Sequence, residues 1–144
     1  MKKYLIVLAV TAATFTSFAW EWPSKGTTNH RNSFGQTTGS TTWSGNTATH
    51  RDSSGRITGT STRIGNSVTH RDSSGRITGS SSTFGNTMFH RNSSGQSVGT
   101  TTRSGNSFFH RSSSGQSAGS TTRSGNSFQH RNSSGQSTGS SWFF

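Results

Sequence analysis

The chain has 144 residues, of which only 23% are hydrophobic, and it contains no Cys and one Pro. Ordinary domains carry ~45–50% apolar residues with Gly counted among them, so a conventional apolar core is excluded. Backbone pairing must order the chain, or the chain is partly disordered. Fourteen Lys and Arg face three acids, Glu21, Asp52 and Asp72, for a net charge of +11. Such a surface attracts polyanions, and without Cys neither disulfides nor thiolate metal sites hold the fold.

The chain opens like an export leader. Lys2 and Lys3 precede a mostly apolar run from Tyr4 to Phe18, and Ser17-Phe18-Ala19 ends it with small residues where a signal peptidase reads. The run is too short and too rich in Thr for a confident membrane span. A signal peptide over 1–19, cut after Ala19, is therefore predicted, and its loss takes the charge from +11 to +9. The expected location is secreted or cell-surface, with the periplasm as the alternative and membrane contact only during export.

An aromatic lead-in follows over 20–29, and then a repeat sets the organisation of everything after it. His-Arg pairs recur every twenty residues at His30, His50, His70, His90, His110 and His130. The repeats fill 30–144, the sixth being truncated, and the ten residues from His50 to Gly59 return unchanged at His70 to Gly79. Such a period marks a repeat architecture.

Each repeat carries two turn signals. The first is Asn/Asp/Ser-Ser-x-Gly, as in Asp52-Ser53-Ser54-Gly55, where the side chain bonds its own backbone and Gly accepts positive φ. The second is Gly-Asn, at Gly45-Asn46, Gly65-Asn66, Gly85-Asn86, Gly105-Asn106 and Gly125-Asn126, a two-residue hairpin signal of type II′. Between them lie two Thr-rich extended segments, typified by Arg56–Arg63 and Ser67–Arg71.

The second segment also predicts a register. Ala48, Val68, Met88, Phe108 and Phe128 each stand two residues before a His, so they share its face of the sheet. Arg31, Arg51, Arg71, Arg91, Arg111 and Arg131 then take the opposite face. Two all-β arrangements fit: a β-solenoid with one repeat per rung, or an extended antiparallel hairpin meander. The solenoid is the expectation, because Ser, Thr and Gly allow a thin, tightly zipped interior, whereas a flat meander leaves its apolar column uncovered.

Asp52-Ser53-Ser54-Gly55-Arg56-Ile57 and its twin Asp72 to Ile77 resemble the D-x-x-G-R-L core of bacterial YD (Rhs-type) repeats. The Tyr expected before the Asp is here Arg51 or Arg71. In layout, the exported array of Ser, Gly, Asn and Gln-rich units is similar to curli-type amyloid subunits. Both resemblances imply extended β-architecture and carry no activity.

Catalysis finds little to work with. Two acids occur in the repeats, both at equivalent turn positions, and no motif joins Ser, His and an acid. The expectation is a non-enzyme without cofactor or small-molecule substrate. His50, His70, His90 and His110 are candidate metal ligands only if a solenoid stacks them, since the usual spacings are missing. Thr arrays such as Thr100-Thr101-Thr102 suggest an ice-binding surface, though Ser interrupts them. Trp20, Trp22, Trp142, Phe143 and Phe144 place aromatics at both ends of the array, as caps or docking residues. The closing aromatic run also resembles the last strand of an outer-membrane barrel, but these strands are too polar for one.

The sequence thus predicts an exported structural protein that builds or decorates an extracellular β-rich fibre or matrix, with itself as partner. The alternative is a monomeric module that binds an anionic polysaccharide, lipopolysaccharide or DNA through the Arg column.

Overall fold

The computed structural model describes residues 22–144, so the predicted leader and Trp20 lie outside the described residues. Twelve antiparallel strands follow one another as hairpins. They are β1 (Lys25–Asn32), β2 (Thr37–Ser44), β3 (Thr47–Asp52), β4 (Ile57–Ile64), β5 (Ser67–Asp72) and β6 (Ile77–Phe84). Then come β7 (Thr87–Asn92), β8 (Ser97–Ser104), β9 (Ser107–Ser112), β10 (Ser117–Ser124), β11 (Ser127–Arg131) and β12 (Ser137–Phe143). Each pairs with its neighbours in sequence, and β12 pairs with β1, so the sheet is a closed up-and-down barrel.

The expected solenoid is therefore corrected. The chain is a meander, but one that rolls up. Closure supplies what a flat meander lacks, because the apolar column turns inward and covers itself. It also separates equivalent Arg residues by two strands, roughly 10 Å, instead of stacking them ~4.8 Å apart.

The repeat encodes the roll. On every long strand the register shifts beside the His-Arg pair, so that His50 faces Gly59 while Arg51 faces Ile57 and Thr58 is the extra residue. The same bulge recurs at all six His-Arg pairs. A bulge bends a strand and increases its twist, so six equal bends curl the sheet evenly. Gly59 is required there: a Cβ on it would stand 2.3 Å from the Arg71 carbonyl oxygen across the other neighbouring strand. Crossing the sheet, Thr41 pairs with His50 and His50 with Gly59, the counterpart of Gly39, so each repeat slips by two residues. Six repeats accumulate a shear of ~12 over the twelve strands, and shear and strand number together set the tilt of the strands in the closed barrel.

The hairpin tips follow the predicted chemistry. At the Gly-Asn turns Gly45 has φ +56°, and among the described residues no non-Gly residue has positive φ, which is the type II′ pattern. The lead-in contributes structure the sequence did not announce, since β1 begins at Lys25. The interior is layered. The column Ala48, Val68, Met88, Phe108 and Phe128 is buried, and its sixth place is taken by Thr28, fully buried, whose Oγ1 accepts a hydrogen bond from Trp43 Nε1 at 3.2 Å. Trp43, Ala48, Phe108 and Phe128 form one apolar cluster, and Trp22 and Phe143 pack against it.

Candidate functional site

The Arg column lies on the outer wall, close to the rim made by the Asx turns, and all six side chains are exposed. Strand alternation put them there: His points in, so Arg points out. Five of them are held by their own turn. Arg51, Arg71, Arg91, Arg111 and Arg131 each donate from Nη1 to the carbonyl of the Gly four residues on, at 2.8 to 3.3 Å. One donor of the planar fork is used in this way, which fixes the guanidinium without covering it.

Arg56 and Arg76 add two more exposed cations to this rim. Among the described residues its only acids are Asp52 and Asp72, and both are turned into local bonds. Asp52 Oδ1 accepts from Ser54 Oγ at 2.7 Å, Ser54 N at 2.9 Å and Arg56 N at 3.0 Å. The Ser54 hydroxyl leads the causes that lower its pKa, and Ser74 does the same for Asp72. Asp72 also meets Arg76 Nε at 3.2 Å. Elsewhere the turn uses Asn32, Asn92, Asn132 or Ser112, so the rim is a belt of cations with little to neutralise it.

The opposite rim, at the Gly-Asn turns, holds three arginines that sequence reasoning missed. Arg63, Arg103 and Arg123 occupy inward positions two residues after buried Ser61, Thr101 and Thr121, and each donates from Nε to the Gly carbonyl of its turn at 2.9 to 3.1 Å. Arg103 and Arg123 lie over the rings of Phe108 and Phe128 at 5.8 Å. Period-two counting through the long strands would have found them. Of the aromatic candidates, Trp22 stacks edge-on against Trp43 at 4.7 Å and donates from Nε1 to Gly45 O at 2.8 Å. Phe143 packs inward, whereas Trp142 and Phe144 are exposed.

Inside the barrel the His column meets a second column that the sequence hid among many other hydroxyls: Thr41, Ser61, Ser81, Thr101, Thr121 and Ser141, all buried. Each hydroxyl lies between Nε2 of one His and Nδ1 of the next. Thr41 Oγ1 is 2.9 Å from His30 Nε2 and 3.0 Å from His50 Nδ1. Ser61 continues to His70, Ser81 to His90, Thr101 to His110 and Thr121 to His130. Ser141 closes the circle, 3.0 Å from His130 Nε2 and 3.0 Å from His30 Nδ1. Burial lowers the imidazole pKa values from 6.5 to about 4, and to about 3 for His50, where burial leads and His70 and His30 add to it.

This arrangement uses both nitrogens of every imidazole, so a metal ion would have to displace ring hydrogen bonds to reach a lone pair. Among the described residues no three His, Cys, Asp or Glu side chains are grouped to hold a metal. The outer wall is mostly Ser and Thr, and strands of five to eight residues are shorter than the ~9–11 a membrane barrel uses. Of the Thr array at 100–102, Thr101 points into the barrel, and Thr100 and Thr102 lie on the curved wall, not on a flat face.

No protein-family model matches the chain, and no curated protein matches it. Among solved structures it is similar to the X-ray structure of a protein from Arabidopsis thaliana, with a TM-score of 0.56 and 8% identity, over 87% of this chain and 84% of that one. At that identity the similarity is one of fold alone, and it joins this chain to an all-β architecture without joining it to an activity.

Proposed function

We propose that the protein is a non-enzymatic, exported module that binds anionic polymers through the Arg belt at the Asx-turn rim. The observation that carries this reading is the combination of a self-closed barrel with Arg31, Arg51, Arg71, Arg91, Arg111 and Arg131 exposed at one level of its wall. A ring of cations roughly 10 Å apart suits a polymer with repeated sulfate, carboxylate or phosphate groups, and Arg offers a bidentate fork to each. If the leader acts as predicted, anionic polysaccharide or lipopolysaccharide is the polymer met first.

The fibre reading ranks second. Cross-β assembly needs unpaired strand edges, and every strand here has two partners. Assembly would have to use side-chain contacts instead, for which exposed Ile64, Phe84, Trp142 and Phe144 are available.

Binding to immobilised heparin tests the proposal. The wild type should bind with strong salt dependence, and replacing Arg51, Arg71, Arg91 and Arg111 by Gln should weaken binding by at least about tenfold at 0.1 M salt while the fold stays intact. Retained binding in the folded quadruple variant would sink the proposal.

A further inference from the structure

The His and hydroxyl columns form a closed circuit of twelve hydrogen bonds, 2.8 to 3.1 Å long. Its proton count is fixed. A neutral imidazole has one N–H and one accepting nitrogen, and a hydroxyl has one O–H and accepts in return. Six imidazoles and six hydroxyls therefore supply one proton for each bond. If His30 donates from Nε2 to Thr41, then Thr41 must donate to His50 Nδ1, which makes His50 an Nε2–H tautomer as well. The condition passes round the barrel and returns to His30 consistently. Only two patterns satisfy every bond, all Nε2–H or all Nδ1–H.

An added proton has no place in either pattern. An imidazolium donates from both nitrogens, so the two directions of the circuit collide at some hydroxyl, which then accepts twice and leaves its own O–H without an acceptor. Among the described residues no buried side-chain nitrogen or oxygen lacks a partner, so this defect would be a new one. Among the described residues the positive charge would also find no free carboxylate beside it. Towards the Gly-Asn rim the imidazoles meet Thr28, Ala48, Val68, Met88, Phe108 and Phe128, with Arg63, Arg103 and Arg123 beyond them. Towards the other rim they meet the Gly column and then Asp52 and Asp72, whose carboxylates are bonded into their own turns. Across the strands the six hydroxyls and the other imidazoles face them, and the Arg column faces out.

We infer that this circuit is an acid-sensitive latch, which keeps the barrel closed while all six imidazoles are neutral and opens it when they take up protons. The depressed imidazole pKa values accord with this, because the folded barrel resists protons that the unfolded chain accepts below 6.5. The latch does not rest on polymer binding: it is read from the protein alone.

The test uses the whole chain with 15N-labelled histidine, followed by NMR and circular dichroism from pH 8 downwards. All six imidazoles should share one tautomer at pH 8. The fold should then be lost in one steep step between pH ~6.5 and ~4, with several protons taken up together. Mixed tautomers at pH 8, imidazoles that titrate singly near 6.5 within a folded barrel, or a barrel still folded at pH ~3 would each overturn the inference. Two variants separate the latch from other acid effects. Asp52→Asn with Asp72→Asn should leave the step where it is, and a step that moves with them would assign it to the carboxylates. Ser61→Ala opens the circuit at one point and should raise the midpoint by about half a pH unit or more. An unchanged midpoint in folded Ser61→Ala would show that closure of the circuit does not matter.

Discussion

Two layers fill this barrel, and they vary by opposite rules. The His layer is the same in all six repeats, with Ser and Thr alone exchanging at the hydroxyl. The apolar layer next to it runs from Thr28 and Ala48 through Val68 and Met88 to Phe108 and Phe128. Hydrogen bonds in a closed circuit are directional, so every member must present the same groups at the same place. An apolar layer has only to fill a volume, and a small side chain on one strand can be offset by a large one on the next. Ala48 sits opposite Trp43, and Phe128 opposite Arg123, whose guanidinium covers the ring. Identity is demanded by chemistry in one layer, and only total volume by packing in the other.

Acid should separate the two layers most sharply. Each imidazole has a folded pKa below its unfolded value, so its contribution is fully present above pH ~6.5 and is lost as pH falls toward the folded value of about 4. By pH 5 each histidine costs about 2 kcal/mol, and six together on the order of 10 kcal/mol, comparable with the whole stability of a typical domain. Urea unfolding at pH 8, 6.5 and 5.5 measures this. Stability that does not fall with pH would place the imidazoles outside the energetics of the fold.

Phe128→Ala should come next, at about 3–5 kcal/mol, because it empties part of the cluster shared with Trp43 and removes the surface under Arg123. Its loss should be the same at pH 8 and pH 6.5, which distinguishes it from any change in the His layer. Thr101→Val keeps the volume but cuts the circuit between His90 and His110, and about 2–4 kcal/mol is expected at pH 8 for two buried nitrogens left short of a partner. If Thr101→Val were neutral while Phe128→Ala was costly, the barrel would be held by packing alone. Phe108→Leu should cost less than about 1.5 kcal/mol, since the apolar layer tolerates a change of shape. Arg51→Gln on the outer wall should change stability by no more than about 0.5 kcal/mol, so that its effect on heparin binding reads as binding.

Much of this arrangement was legible in the chain. The twenty-residue period located the turns, the Gly-Asn pairs gave their type, and the offset of two between Val68 and His70 placed the apolar and imidazole columns on one face with Arg71 on the other. Those are local consequences of backbone geometry. The hydroxyl column was not read, because Ser61 and Ser81 stand among many Ser and Thr, and period-two counting, which tells the two faces apart, cannot tell that the inward ones meet the imidazoles. Arg63, Arg103 and Arg123 were missed because no face was assigned to the long segments, where alternation through Ser61, Thr101 and Thr121 turns them inward.

What the sequence determined by itself, then, is the hairpin and its two faces, since turn chemistry and period-two alternation act over a few residues. Only the tertiary structure decided that six hairpins close on themselves. A bulge at each His-Arg pair adds a small bend, and a two-residue slip in each repeat adds a small shear, but neither has a meaning within one repeat. Their sum over six brings β12 beside β1, and there Ser141 reaches both His130 and His30. A row of histidines becomes a circuit because the last repeat meets the first, a contact between residues 111 positions apart that no local pattern could announce.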